Sequence, residues 1–119
     1  MKLLLTDIKN KLETIDPNVF YGVVDKAIAK HAWNYTVFNR VKLKTTANKT
    51  GYSDAFDVHI IRENFIPDGL AEQVINAVCE LDGVRTTGED AEYNYSEKPN
   101  TNTVVEMLSL HFIRARKNV

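Results

Sequence analysis

The chain has 119 residues with 15 basic and 16 acidic side chains, which gives a formal net charge of −1. This length predicts a single domain, and an apolar share of 44% is typical of a globular core rather than of a disordered chain. The balanced charge provides no general attraction to nucleic acids or anionic membranes, and no apolar run approaches the roughly 18 residues that cross a bilayer.

The first predicted element is an amphipathic helix over residues 3–15. Its apolar residues recur at helical spacing: Leu4, Ile8, Leu12 and Ile15. The helix should end before Pro17, because the residue preceding a proline avoids helical backbone angles. Residues 19–24 are rich in side chains favoured in strands and predict a short first strand.

Residues 33–46 predict a long strand, because apolar and polar side chains alternate along it. The predicted apolar face holds Tyr35, Val37, Val41, Leu43 and Thr45, and the predicted basic face holds Thr36, Phe38, Arg40, Lys42 and Lys44. Residues 54–63 alternate in the same way after a turn at 46–51, which predicts a hairpin. Long strands present long edges, and an unpaired edge is a template for pairing with another chain.

A second helix is predicted over residues 69–82. Its apolar residues follow the helical repeat, with Asp68 as the N-cap and Gly83 just beyond the C-terminus. After it, residues 84–95 predict a weak strand that is interrupted at 88–90.

Residues 104–116 predict a final strand that is apolar on both faces. One face holds Leu108, Leu110 and Phe112, and the other holds Val105, Met107 and Ile113. A strand of this kind is covered on each side, either by the two helices of the chain or, on one side, by a neighbouring subunit. The predicted fold class is α+β: a single domain with a largely antiparallel sheet of about four to five strands packed against two main helices.

Nothing in the sequence forms a catalytic or metal-binding pattern. His31, His59 and His111 are separated from one another, and the glycines lack phosphate-loop spacing. Asp57 and His59 share one face of a strand, but two groups do not define an active site. Cys79 lies next to the buried stripe of the second helix, where an inert thiol is common. We expect a protein that is not an enzyme and that carries no cofactor or metal.

Two groups of charged side chains are candidates for contacts with other molecules. The basic group is Arg40, Lys42 and Lys44, with Phe38 and Lys49 nearby. Cationic and aromatic side chains on one sheet face can bind single-stranded nucleic acids, so a small nucleic-acid-binding module is an alternative function. Exposed lysines can also serve only to keep a protein soluble. The acidic group is Glu89, Asp90, Glu92 and Glu97, which lacks calcium-loop spacing and predicts a solvated loop.

Segments spread along nearly the whole chain carry a family resemblance. They are the helix of residues 1–15, Phe20-Tyr21-Gly22, residues 33–40 (WNYTVFNR), residues 52–67 leading into the second helix, Tyr93-Asn94-Tyr95, and the final strand at 105–116. In these segments, in length and in element order, the chain resembles the tail terminator (tail completion) proteins of long-tailed bacteriophages and prophages. Head-closure and other head–tail joining proteins of the phage neck share much of this pattern and form the alternative.

The resemblance implies a structural subunit that forms a ring, expected to be hexameric, at the end of the tail tube. Such a ring stops tube polymerisation and joins the tail to the head. The implied partners are copies of the chain, the tail-tube protein and a neck or connector protein; phage DNA passes through the lumen without specific binding, and no membrane is involved. The implied location is the virion, after assembly in the host cytoplasm. We place the assembly surface on Arg40, Lys42, Lys44, Lys49, Glu89, Asp90, Glu92 and Glu97, with loop 47–53 or loop 89–97 on the surface of the ring.

Overall fold

The structure, a computed structural model, describes residues 4–22, 33–45 and 51–117. Helix α1 spans Leu4–Glu13 and helix α2 spans Leu70–Val78. The strands are β1 (Val19–Tyr21), β2 (Tyr35–Thr45), β3 (Gly51–Glu63), β4 (Val84–Thr86), β5 (Glu92–Glu97) and β6 (Val104–Lys117). The described part of the chain is an α+β domain, which confirms the predicted fold class.

The six described strands form one sheet in the order β1-β2-β3-β6-β4, and β5 also pairs with β6. β1 is parallel to β2, and the other pairings are antiparallel. β4 and β5 lie end to end along one edge of β6, because β4 pairs with residues 112–114 and β5 with residues 104–109. The predicted weak strand at 84–95 is therefore two short strands separated by residues 87–91, which raises the expected four to five strands to six.

The main core lies between one face of the sheet and the two described helices. We call this face of the sheet the helix face. The side chains of Phe56 and Phe112 are at most 1% exposed, and their rings stack with centroids 5.4 Å apart. Burial of a large apolar side chain stabilises the fold by about 1.5–3 kcal/mol. The helices contribute Ile8 and Leu12 from α1 and Val74 and Val78 from α2.

The opposite face carries a second, smaller apolar cluster at one end. It consists of Tyr35, Val37, Ile61 and Val105, packed against Phe20, Trp33 and Met107. The prediction that β6 is apolar on both faces is confirmed, since Leu108 belongs to the main core and Val105 to the second cluster. Both described helices lie on the helix face. Of the two alternatives for covering β6, the one in which the helices cover both faces therefore does not hold for the described residues, and cover by a neighbouring subunit stays a prediction.

The second helix is shorter than predicted, and its capping differs. Gly69 occupies the N-cap with a φ of 89°, and no side chain caps the helix. The prediction of Asp68 as the N-cap is wrong, because the chain enters α2 through a left-handed backbone angle that glycine adopts readily. α2 ends at Val78, and turns carry the chain to Gly83, whose φ of 78° ends this turn rather than the helix.

A buried ion pair ties the end of α1 to the sheet. Asp16, only 4% exposed, accepts hydrogen bonds from Arg62 Nη2 and Thr36 Oγ1, both at 2.8 Å, and from Asn18 N at 2.9 Å. Arg62 Nη1 also donates to two strand carbonyls, at 2.9 and 2.8 Å. The sequence places Asp16 only as the residue before Pro17, and the structure adds its role as a buried acceptor.

Candidate assembly surface and the polar network of the sheet

The sheet has two edges whose outer sides are open among the described residues. On one edge, β1 pairs only with residues 36–38 of β2, and Gly22 N donates to Phe38 O at 2.9 Å. No described strand lies beside residues 39–45 on that side. On the other edge, β4 and β5 pair with β6, and no described strand lies on their outer side. Open edges of this kind can pair with another chain.

The basic side chains of β2 do not form one face, so that prediction is wrong. Arg40 pairs with Phe56 and Lys42 pairs with the adjacent residue, Ala55. Val41 therefore has no paired residue on β3 and forms a bulge. Paired residues share a face of the sheet, and successive residues alternate between faces. Arg40 therefore lies on the helix face, whereas Lys42 and Lys44 lie on the opposite face.

The aromatic member of the predicted basic face is not accessible. Phe38 is 1% exposed and belongs to the main core, so it cannot stack on a base. Arg40, Lys42 and Lys44 are exposed, and none of them forms an ion pair with a described residue. Lys49 and residues 47–50 of the predicted surface loop lie outside the described residues, and residues 51–53 belong to β3. Among the described residues, the single cationic and aromatic face that the nucleic-acid alternative assumes is therefore not present.

The acidic residues lie along the other open edge. Glu89 and Asp90 lie between β4 and β5, and Glu92 and Glu97 are the first and last residues of β5. All four are exposed, and none forms an ion pair with a described residue. By their pairing with β6, Glu92 lies on the opposite face and Glu97 on the helix face. The prediction of a loop is therefore wrong for Glu97, which ends an edge strand, whereas Glu92 lies in the segment 84–95 that is also predicted as a weak strand.

Two tyrosines accompany the acidic residues on this edge. Tyr93 and Tyr95 are 54% and 64% exposed and lie on the helix face of β5. The pKa of Tyr95 is raised above its usual value, chiefly by the interaction of its hydroxyl with the Glu106 carboxyl group on the paired strand. Glu106 Oε1 also accepts a hydrogen bond from Ile66 N at 2.8 Å. The outer strand thus combines aromatic and acidic side chains in one exposed segment.

The opposite face also carries a polar network across β2, β3 and β6. His59 Nδ1 lies 2.8 Å from Ser109 Oγ, and His59 Nε2 lies 2.8 Å from Asn39 Oδ1. Since the amide oxygen can only accept, Nε2 carries the proton and Nδ1 accepts from the serine hydroxyl. Burial lowers the pKa of His59; the Asp57 carboxylate opposes this effect and His111 adds to it. His111 Nδ1 in turn lies 2.8 Å from Asp57 Oδ1.

This network cross-links three strands, and the backbone at Ser109 does not offer the oxyanion donors that acyl transfer needs. β6 is paired on both sides at Ser109, with β3 and with β5, so the sheet ladders engage the backbone there rather than leaving oxyanion donors. Within the described residues, no three His, Cys, Asp or Glu side chains are placed to hold a metal ion. The sequence correctly placed Asp57 and His59 on one face, but it missed Asn39, Ser109 and the contact with His111, which depend on strand register. His31 lies outside the described residues.

Cys79 lies at the C-cap of α2, half-buried against the main core. Burial raises the pKa of its thiol, and a weaker hydrogen bond with the Thr86 backbone opposes the shift. A raised pKa reduces the thiolate fraction, which is the reactive form. This environment agrees with the inert thiol predicted from the sequence.

Comparisons with known proteins do not assign the chain to a family. No protein-family model matches the chain, and no curated protein matches it significantly. Across the described ranges of the chain, neither helix has the length and apolar character needed to cross a membrane.

Proposed function

We propose that this protein is a structural subunit that assembles with copies of itself into a ring, as a tail terminator of a long-tailed bacteriophage. The observation that supports this most directly is the length of the three central strands. β2, β3 and β6 contain 11, 13 and 14 residues, against about five or six in a typical strand. The choice of a tail terminator ring, rather than another assembly, rests on the resemblance of the sequence to that family.

The long strands extend well beyond the helices. The main core includes Phe38 of β2 and Phe56, Val58 and Ile60 of β3, but nothing from residues 40–45. In that distal part of β2, Val41 and Leu43 are 50% and 56% exposed. The radius of gyration is 15.5 Å, against about 14 Å for a compact globule of this length. A projecting sheet with exposed apolar side chains and open edges suits a subunit that neighbours cover.

A ring needs a heterologous interface, in which one surface of a subunit binds a different surface of the next. The described sheet offers two such surfaces, because its open edges lie on opposite sides of the molecule. The ring is proposed to cap the tail tube and to contact the neck or connector, while DNA passes through its centre. Acidic side chains near the passage would repel the phosphates and keep the wall non-adhesive.

The experiment is deletion of the gene from the phage or prophage that encodes it, followed by electron microscopy of the particles. We expect tails of irregular length without attached heads, and rescue by the wild-type gene supplied in trans. Tails of normal length on normal heads would contradict the proposal. Tails of normal length that lack heads would instead indicate the head–tail joining alternative.

A further inference from the structure

We propose that the two sheet edges that are open among the described residues bind each other in neighbouring copies of the chain. The basic edge is residues 39–45 of β2, with Arg40, Lys42 and Lys44. The acidic edge is β5, with Glu92 and Glu97, together with the preceding residues Glu89 and Asp90. The inference rests on the proposed self-assembly, and it assigns the surfaces and the direction of that assembly.

The charges select which edges can meet. A two-fold contact between basic edges would place lysine near lysine, and one between acidic edges would place glutamate near glutamate; both arrangements are destabilising. A contact between a basic and an acidic edge brings opposite charges close together. Lysines and a bulge on an edge commonly prevent unwanted pairing. Here the lysines of the basic edge disfavour pairing with a second basic edge but still allow pairing with the acidic edge.

Strand direction and side-chain facing agree with this contact. β2, β3, β6 and β5 alternate in direction, so β5 is antiparallel to the β2 of a copy that continues the sheet. Lys42 and Lys44 share the opposite face with Glu92, and Arg40 shares the helix face with Glu97. A register with Lys44 opposite Glu92 also places Lys42 opposite an uncharged residue, Asn94. Each face of the junction therefore combines opposite charges without placing like charges opposite each other.

The contact also specifies a stagger between copies. Lys42 pairs with Ala55 of β3, and Ala55 pairs with Ile113 of β6. Asn94 pairs with Met107, which is six residues from Ile113 along β6. Six residues span about 20 Å, and four strands span about 19 Å across the sheet. In a ring whose wall is this sheet, the strands are then tilted by about 45° from the ring axis, close to the tilt of closed β-barrels.

The test uses two purified full-length variants with reversed edges. The basic-edge variant carries Lys42→Glu and Lys44→Glu, and the acidic-edge variant carries Glu92→Lys and Glu97→Lys. Equal amounts of isotopically labelled and unlabelled protein are cross-linked with a zero-length carbodiimide at low ionic strength and high protein concentration. Mass spectrometry then identifies links from Lys42 or Lys44 to Glu92 or Glu97. Within one chain these residues lie about three strand spacings apart across the sheet, about 14 Å, and are also offset along the strands, so the links report on neighbouring copies.

We expect wild-type protein to give these inter-chain links, and each variant alone to lose its native mass-spectrometric oligomers by about tenfold or more. Mixing the two variants should restore oligomers in which they alternate, and a chain with all four substitutions should associate with itself. A control with Lys9→Glu reverses one exposed charge on α1, away from both edges, and should behave as wild type. Thermal unfolding of each variant verifies that it is folded.

Wild-type protein without links between the two edges would overturn the inference, and so would folded edge variants that assemble like wild type. Restored pairs that stop at dimers would indicate a two-fold contact and would also refute the head-to-tail arrangement. These measurements use protein alone, so they are independent of tail morphology. Edge-to-edge links together with normal particles in the gene deletion would remove only the tail terminator role; abnormal tails with unaltered assembly of the edge variants would remove only this inference.

Discussion

The buried pair of Asp16 and Arg62 provides the sharpest test of what holds the fold together. In Asp16→Ala, the Arg62 guanidinium loses a 2.8 Å partner while its side chain is only 15% exposed. Removing one member of a buried pair costs about 3–5 kcal/mol, because the remaining charge is uncompensated. The hydroxyl of Thr36 also loses its acceptor, which costs about 1–3 kcal/mol when the group stays buried. The two effects share one carboxylate, so we expect a total of about 4 kcal/mol.

The measurement is urea unfolding followed by circular dichroism. A loss of about 4 kcal/mol is a large part of the 5–15 kcal/mol that stabilises a typical domain, so the midpoint should fall steeply at an unchanged slope. Asp68→Ala is the matched control, since Asp68 is exposed, and its effect should stay within about 0.5 kcal/mol.

A double-mutant cycle separates the pair from its surroundings. In Asp16→Ala combined with Arg62→Met, no unpaired buried charge remains, so the double variant should lose less than the sum of the single losses. Strict additivity, or a loss below about 1 kcal/mol for Asp16→Ala, would refute the assignment of this pair as a coupled, buried interaction.

The remaining predictions concern the core, a turn and the response to pH. Phe112→Ala should cost about 3–5 kcal/mol in urea unfolding, because its fully buried ring leaves a cavity; a loss below about 1 kcal/mol would contradict the packing. Gly83→Ala should cost about 1–2 kcal/mol for its φ of 78°, and more than Gly88→Ala, since only at Gly83 would the new Cβ lie 3.3 Å from a carbonyl oxygen; equal losses would dispute that contact. The pKa of His59 is lowered in the folded state, so its stabilising contribution is present above the ordinary value of 6.5 and is lost as the pH falls through the folded-state pKa. Unfolding at about pH 7.5 and about pH 5.5 should therefore show a smaller loss in His59→Gln than in the wild type, and equal losses would refute the role of this histidine.

The elements of the fold could be predicted because local pattern determines them. The long strands β2, β3 and β6 show alternation over ten or more residues, and α1 shows a helical repeat that ends before Pro17. These patterns specify which side chains can be buried together. Strand edges and helix ends were less accurate, as at Gly69, where a left-handed angle replaced the predicted side-chain cap.

The distribution of charge over the faces could not be predicted, because it depends on one bulge. An extra residue at Val41 reverses the facing of every residue after it, and nothing in the local sequence distinguishes it from its neighbours. The strict alternation of Arg40, Lys42 and Lys44 therefore indicated one face, while the paired strand divides them between two. Register relative to β3 is the missing information.

The polar contacts could not be predicted from the sequence either. Asn39, His59 and Ser109 are 20 and 50 positions apart, and only the combined register of three strands brings them together. Asp16 looked like an ordinary turn residue, since an aspartate before a proline is typical of a helix end. Its burial follows from Arg62, which is 46 positions away. Long-range pairing thus determines the sites, whereas short-range periodicity determines the elements.

The position of β6 has a consequence for the synthesis of the protein. β6 is the last described strand along the chain, yet it lies inside the sheet between β3 and the outer strands β4 and β5. It also supplies Leu108, Leu110 and Phe112 to the main core. While the chain is being translated, the hairpin of β2 and β3 can form early, but the core stays open until this strand inserts. We therefore expect nascent chains on one messenger to remain separate, with self-association beginning only as each copy completes β6.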